Sequence, residues 1–282
     1  MLHTPRSFVS QTYDLEWRLF LASFDFIKIG ASTMPYDGRY YFAPRLEDRF
    51  LRVPKLWSWD AFVSTDYRRE FALDIGGWIA GGQLYPDWKE RNFRIEPIWR
   101  PNDHFKVSHV YSHQDKYNEI GWSGLIDNLP DCTPLPTTRS VWAKRNNYSR
   151  THVLNASYVL DNRRGITFRL RHYWSRVENG RFYFFDNDGI LYPTNDIGFD
   201  DNGESMYDIS YNAWSIDCVY RWIFAPESEL YIVWKNLLES QGDMLPSTYA
   251  DNLEDVLRVP HRNSFSIKAI YFLDYADITG RR

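Results

Sequence analysis

The stretch from Trp214 to Phe224 constrains this chain more than any other. Its even positions are Trp214, Ile216, Cys218, Tyr220, Trp222 and Phe224, while Ser215, Asp217 and Arg221 stand among the odd ones. Successive side chains of a β-strand point to opposite faces, whereas a helix needs spacings of three and four, so this is a strand with one apolar face. After the short turn Ala225-Pro226-Glu227-Ser228 the pattern resumes: Leu230, Ile232 and Trp234 alternate with Glu229, Tyr231, Val233 and Lys235. A second hairpin runs from His152 to about Leu160 and turns through Asp161–Gly165. It returns with Ile166, Phe168, Leu170 and Trp174 alternating with Thr167, Arg169, Arg171 and Ser175.

The same reading predicts strands near 11–21, 24–32, 56–65, 70–79, 92–99, 104–112, 118–123, 139–145, 152–161, 166–177, 213–224, 229–236 and 264–275, and no clear helix. Several have the ~9–11 residues that cross a bilayer at a tilt. Tight connections (22–23, 66–69, 100–103, 161–165, 225–228) alternate with long ones (33–55, 80–91, 178–212, 237–263), as in transmembrane barrels. The segment 124–138 breaks the rule, being long where a short turn is due. Thirteen strands is odd where single-chain bacterial barrels are even, so the expectation is that one or more upstream strands are missing.

Composition leaves two architectures open. The chain has 12 Trp, 20 Tyr and 18 Phe in 282 residues, yet a mean hydropathy of -0.52. That combination fits a membrane barrel with a polar lumen and also a soluble, carbohydrate-binding β-protein. No run approaches the 18 apolar residues of a membrane helix. The net charge of -4, with both signs dispersed, gives no basic stripe for nucleic acid. Cys132 and Cys218 are expected to be free thiols, and residues 1–20 lack the apolar core of a secretion signal.

The segments LRVPKLWSWDAFVSTDYRREFALDIGG, RPNDHFKVSHVY, VWAKRNNYSRTHVLNASYVLDNRRGITFRLRHYWSRV, IDCVYRWIFAPESELYIVWKN and NSFSIKAIYFLDY resemble, in order, the C-terminal barrel domain of a Gram-negative outer-membrane family. In that family the barrel usually follows a module similar to family-9 carbohydrate-binding domains, which this sequence lacks. The resemblance implies an outer-membrane barrel and brings no catalytic residues. It also implies a role for the last strand, where Phe265, Ile267, Ala269, Tyr271, Leu273 and Tyr275 alternate with Ser264, Ser266, Lys268 and Asp274. Phe265, Ile267, Tyr271, Leu273 and Tyr275 are thus candidates for the terminal signal read by the barrel-assembly machinery.

Other constellations are weaker. The loop from Phe185 to Asp208 holds Asp186, Asp188, Asp200, Asp201 and Glu204, but DNDG lacks the spacing of an EF-hand, and a solvated loop with Asn/Asp/Gly turns explains it. His109 and His113 share a strand face and His104 does not, so the histidines are expected at surfaces or interfaces, not on a metal. Trp57, Trp59, Trp78, Trp99, Trp122, Trp142, Trp174, Trp214, Trp222 and Trp234 lie mostly near strand ends, either as interfacial girdles or as sugar-stacking platforms. Arg169, Arg171, Arg221 and Lys235 against Asp217 and Glu229 would line a charge-paired lumen.

The chain is therefore expected to be one domain over 1–282: an all-β, antiparallel up-and-down transmembrane barrel of the outer membrane. Its role would be structural, transport or anchoring, without catalysis or cofactor, in contact with outer-membrane lipid and the barrel-assembly machinery. The alternative is a soluble β-protein that binds or hydrolyses carbohydrate. A third reading is an accessory barrel for adhesion or secretion.

Overall fold

The computed structural model describes residues 8–46, 49–82, 88–127, 138–185, 188–195, 197–242 and 248–273. Its strands are β1 (Tyr13–Phe20), β2 (Phe26–Met34), β3 (Gly38–Tyr40), β4 (Leu51–Val53), β5 (Leu56–Ser64), β6 (Phe71–Gly82), β7 (Lys89–Asn102), β8 (Phe105–Asp127), β9 (Thr138–Asp161), β10 (Arg164–Phe185), β11 (Leu191–Thr194), β12 (Ile209–Ala225), β13 (Ser228–Gly242) and β14 (Arg262–Ile270), with helix α1 (Tyr249–Arg258) before the last strand.

The sheet runs in the order β1-β2-β5-β6-β7-β8-β9-β10-β12-β13-β14, every pair antiparallel. It is an up-and-down meander. β11 pairs with the end of β10, and β3 with β4 makes a separate ribbon. Among the described residues no pairing joins β1 to β14, so the sheet is open at both edges.

Two expected strand breaks are absent. The expected strands 104–112 and 118–123 merge, from Phe105 on, into one strand of 23 residues, β8, and 139–145 and 152–161 into one of 24 residues, β9. The register shift between Lys116 and Glu119, with Asn118 at φ 57°, inserts extra chain without reversing direction. A bulge of this kind shifts the phase of alternation and so imitates a loop. Thirteen expected strands thereby become eleven along the path. The long connection 128–137 then falls at the same end of the sheet as the other long ones, and the exception to short/long alternation disappears.

Three of the short connections at the turn end of the sheet share one chemistry. Asn102 Oδ1 accepts the N–H groups of His104 and Phe105, both at 2.9 Å. Asp161 Oδ1 takes those of Arg163 at 2.9 Å and Arg164 at 2.8 Å, and Asp66 Oδ1 takes that of Arg68 at 3.0 Å. These side chains satisfy the donors that a tight reversal leaves over. Asp25 ties two neighbouring turns together by accepting the Asp66 N–H at 3.0 Å.

Helix α1 was not foreseen. Thr248 caps it, its hydroxyl oxygen accepting the Asp251 N–H at 3.2 Å, and Arg258 closes the last turn just ahead of Pro260. The residues it buries are Asn252 and Val256, a polar and an apolar one. An apolar stripe that includes an asparagine is easily missed. β14 ends at Ile270, short of the expected 275.

Two small cores flank the loopward ends of the longest strands. One joins Leu51, Trp142 and Leu191; the other joins Val141, Ala143 and Phe182. Gly198, at φ 95°, sits so close to Phe182 that a Cβ would lie 2.3 Å from its ring. No other residue type fits there.

Candidate functional site

Directly opposed residues of antiparallel strands share a face, so the register sorts every side chain. On one face stand Trp17, Ile29, Trp59, Ile79, Phe93, Tyr111, Leu154, Leu170, Ile216, Trp234 and Phe265, a set that crosses the whole sheet. On the other stand Lys28, Asp60, Arg94, Ser108, Asn155, Arg169, Asp217 and Lys235. The alternation read from the hairpin 214–235 is thus that of the sheet: Trp222 opposes Leu230 and Tyr220 opposes Ile232, while Asp217 opposes Lys235 and Arg221 opposes Tyr231.

The apolar face is a band of limited height. Along β10 it comprises Ile166, Phe168 and Leu170, then gives way to His172, Trp174 and Arg176; along β9, Tyr158, Ala156 and Leu154 give way to His152 and Arg150. At ~3.3 Å per residue, Ile166 to Leu170 spans ~13 Å along β10, whereas Phe71 to Ile79 spans ~26 Å along β6. Trp57, Trp59, Trp99, Trp174, Trp214, Trp222 and Trp234 belong to this face. Trp122 and Trp142 pair in the loopward core around Leu51, and Trp78 points to the polar side.

Just loopward of the band, groups that would be costly alone are satisfied together. Asp115, 2% exposed, receives Arg91 Nη2 and Arg150 Nη1 at 2.8 Å and lies 2.9 Å from His113 Nε2. His109 and His152 stack with rings 5.3 Å apart, Nε2 of one 3.1 Å from Nδ1 of the other. His172 is buried at the contact between β10 and α1: the Tyr249 hydroxyl lies 2.8 Å from its Nδ1. Asn212 and Asn252 exchange two amide hydrogen bonds at 2.9 and 2.7 Å, and Val256 packs with Trp214 and Leu238. The helix thus lies on the apolar face, above its band. His104 stands apart, in the turn before β8.

The polar face carries ion pairs and hollows. Lys28 meets Asp60 at 2.8 Å, Arg94 meets Glu96 at 2.8 Å, Lys235 meets Asp217 at 3.6 Å, and Arg221 pairs with Glu229. One hollow of about 570 Å³ lies against Lys28, Asp60, Trp78, Asn92 and Arg94. Another, of about 730 Å³, lies against Lys106, Asn155, Arg169, Asp217 and Lys235. The expected pairing of the lumen charges holds for Arg221 and Lys235; Arg169 and Arg171 face the same way without an ion pair among the described residues.

Of the terminal residues, Phe265 and Ile267 lie on the apolar face of β14. Tyr271 and Leu273 follow the strand, Tyr271 stacking on Phe224 at 6.2 Å, and Tyr275 lies outside the described residues. In the acidic loop, Asp200 accepts the N–H groups of Asn202 and Glu204 at 2.9 and 2.8 Å and Asp188 that of Ile190 at 2.8 Å. Their work is turn formation; Asp186 is outside the described residues. No group of described His, Cys, Asp or Glu is arranged to hold a metal. Cys218 is a free thiol on the apolar face, and Cys132 lies outside the described residues.

One apolar and one polar face on an antiparallel up-and-down sheet define an all-β protein with two opposed environments. The chain belongs to a family described as a domain of unknown function (DUF5916), whose profile matches residues 1–281. No curated protein matches it by sequence. Among solved structures it is similar to "Copper transporter OprC", at 11% identity and a TM-score of 0.45, over 94% of this chain and 42% of that one. The chain thus spans less than half the length of that relative.

Proposed function

We propose that the chain builds the wall of an outer-membrane β-barrel, its apolar face against lipid and its polar face lining the lumen, with a structural, transport or anchoring role and no catalytic step. The observation that carries this reading is the sorting of faces: bulky apolar side chains stand on one side of the sheet from Trp17 on β1 to Phe265 on β14, and charged and polar ones on the other, the alternation of a barrel wall. Trp17 and Phe265, on the two edge strands, are each 76% exposed. A soluble sheet would cover so large an apolar surface, and no described residue covers it below α1.

The open edges support the same reading. Both β1 and β14 run from loop end to turn end, so joining them directly would make a parallel pair in an otherwise antiparallel sheet. An odd number of further strands between them would close the wall with antiparallel pairs throughout, and hydrocarbon tolerates no open edge. The strands β8–β10, of 22–24 residues, exceed the band by far and project beyond it on the loop side. Helix α1 then lies at the membrane surface, and Phe265, Ile267, Tyr271, Leu273 and Tyr275 serve the barrel-assembly machinery as its terminal signal. Extraction tests the proposal: the protein should need detergent and migrate faster on gels unheated than boiled. A chain that stays dispersed and folded in plain buffer would rule it out.

A second reading, a saccharide ligand, is favoured by Trp78. Among the tryptophans of the described strands it is the one that departs from the apolar face, and it opposes Asp60 and Asn92 in a polar hollow, the pairing of flat ring and hydrogen-bonding groups that suits a sugar. Trp78→Ala should abolish any oligosaccharide binding; binding that survives would place the ligand elsewhere.

A further inference from the structure

We propose that the polar face between β8 and β13 holds a binding site for a small solute carrying two or more carboxylate or phosphate groups. The site is the hollow of about 730 Å³ against Lys106, Asn155, Arg169, Asp217 and Lys235. The register sets these groups in rows across the sheet. Ser108 opposes Asn155, Asn155 opposes Arg169, Arg169 opposes Asp217, and Asp217 opposes Lys235. Lys106 opposes Ser157 in the adjoining row, and Ser157 opposes Thr167.

Neighbouring strands are ~4.8 Å apart, so Lys106, Arg169 and Lys235, on alternate strands of the path, are staged at intervals of ~10 Å. Two anionic groups on one small solute can bridge such an interval. Arg169 offers a planar fork suited to a carboxylate or phosphate, and Lys106 a mobile point charge. Neither has an ion pair among the described residues. Ser108, Asn155 and Thr167 add neutral hydrogen-bonding groups beside them. Asp217 is the carboxylate in the hollow, 3.6 Å from Lys235 Nζ and opposite Arg169, and it holds part of the positive charge in check.

The rest of the face reinforces this polarity. Arg171, Arg221 and Lys268 extend the positive charge around the hollow, opposed by Glu229, which pairs with Arg221; Asp161 at the turn is held by Arg164. Across β1–β7 most polar-face cations are already engaged: Arg18 with Glu16, Lys28 with Asp60, and Arg94 with Glu96, with Arg100 left near the turn end. Asp74 and Glu90 add further carboxylates there. The summed field therefore draws an anion towards β8–β13. Binding needs only this face; that the ligand is cargo rests on the barrel reading.

The test is calorimetric titration of the refolded full chain in detergent micelles with citrate at low salt. The expected result is saturable one-to-one binding that weakens as salt rises. Arg169→Gln and Lys106→Gln should each weaken it by about tenfold, and Asp217→Asn should tighten it by about fivefold by freeing Lys235 and removing a negative charge from the hollow. The gain cannot come from misfolding. Arg18→Gln, far away on β1, should leave binding unchanged. Absence of saturable binding, equal loss with Arg18→Gln, or no tightening with Asp217→Asn would overturn the site. A chain that binds citrate while dispersed in plain buffer would refute the barrel and keep the site. A heat-modifiable protein indifferent to citrate would refute the site and keep the barrel.

Discussion

The Tyr249 hydroxyl lies 2.8 Å from His172 Nδ1 and joins α1 to the middle of β10 across 77 residues of sequence. The other ring nitrogen of His172 is 3.3 Å from Asn212 Oδ1, and Asn212 is also bonded to Asn252 of the helix. Val256, buried against Trp214 and Leu238, supplies the apolar part of the seat. Val256→Ala should weaken docking by about 2 kcal/mol, at ~0.8 kcal/mol per buried methylene plus a cavity term. Limited proteolysis will read this as faster cleavage within 243–261, with the sheet's resistance unchanged.

Docking of α1 should also depend on alkaline pH. Burial pushes the Tyr249 phenol up to about 12, from an ordinary value near 10. The raised value means that the docked state favours the neutral phenol. Its contribution is complete below about 10 and is lost as pH rises towards about 12. Hydrogen exchange of α1 should be flat up to pH 9 once corrected for intrinsic rate, then accelerate above 10. Tyr249→Phe should remove that acceleration and cost about 1 kcal/mol of docking at neutral pH.

Asp115 holds the loopward part of β7, β8 and β9 together through Arg91, Arg150 and His113. Asp115→Asn keeps the shape and removes the charge, leaving Arg150, 16% exposed, without its carboxylate. The expected loss is about 3 kcal/mol, seen as a lower urea midpoint for unfolding. Arg91→Gln should cost far less, because that guanidinium is 59% exposed and water replaces its partner.

At the turn end, Asp66 is held at about 2, first by its hydrogen bonds from Arg68, and Asp25 is lowered by its bonds from Ser23 and the Asp66 N–H. A depressed carboxyl stabilises the fold above its ordinary value near 4 and ceases to do so as pH falls through about 2. The 65–70 turn should therefore loosen between about pH 4 and 2. Asp66→Asn should remove that dependence, which exchange or proteolysis at low pH can follow.

Much of the fold is legible in the sequence because the sheet is regular where alternation is strict. Trp214 to Phe224 and Ile166 to Trp174 lie in strands whose two faces meet different surroundings, so period two survives. Legibility fails where that contrast fades. Around Lys116–Glu119 an extra residue shifts the phase, and at Asn146–Arg150 polar side chains stand on both faces of β9 beside the Asp115 network. A polar run inside a strand then reads as a loop. α1 was hidden because its buried side pairs Val256 with Asn252, whose burial depends on Asn212, 40 residues away. The stacked His109 and His152 were equally out of reach, since their contact exists only through the β8–β9 register. The polar-face charges Arg169, Arg221, Asp217 and Lys235 were visible at once, because each falls on an odd position of an alternating strand.

The most direct test of the central claim is a scan of single spin labels along β13, from residue 229 to 235, in the Cys-free protein reconstituted in lipid vesicles. Collisions with oxygen and with a water-soluble nickel chelate report lipid and water at each site. At 230, 232 and 234 oxygen accessibility should be high and nickel accessibility low, and at 229, 231, 233 and 235 the reverse, in step with the register that sets Leu230, Ile232 and Trp234 on one face. High nickel accessibility at 230, 232 and 234, without alternation, would contradict a lipid-facing surface.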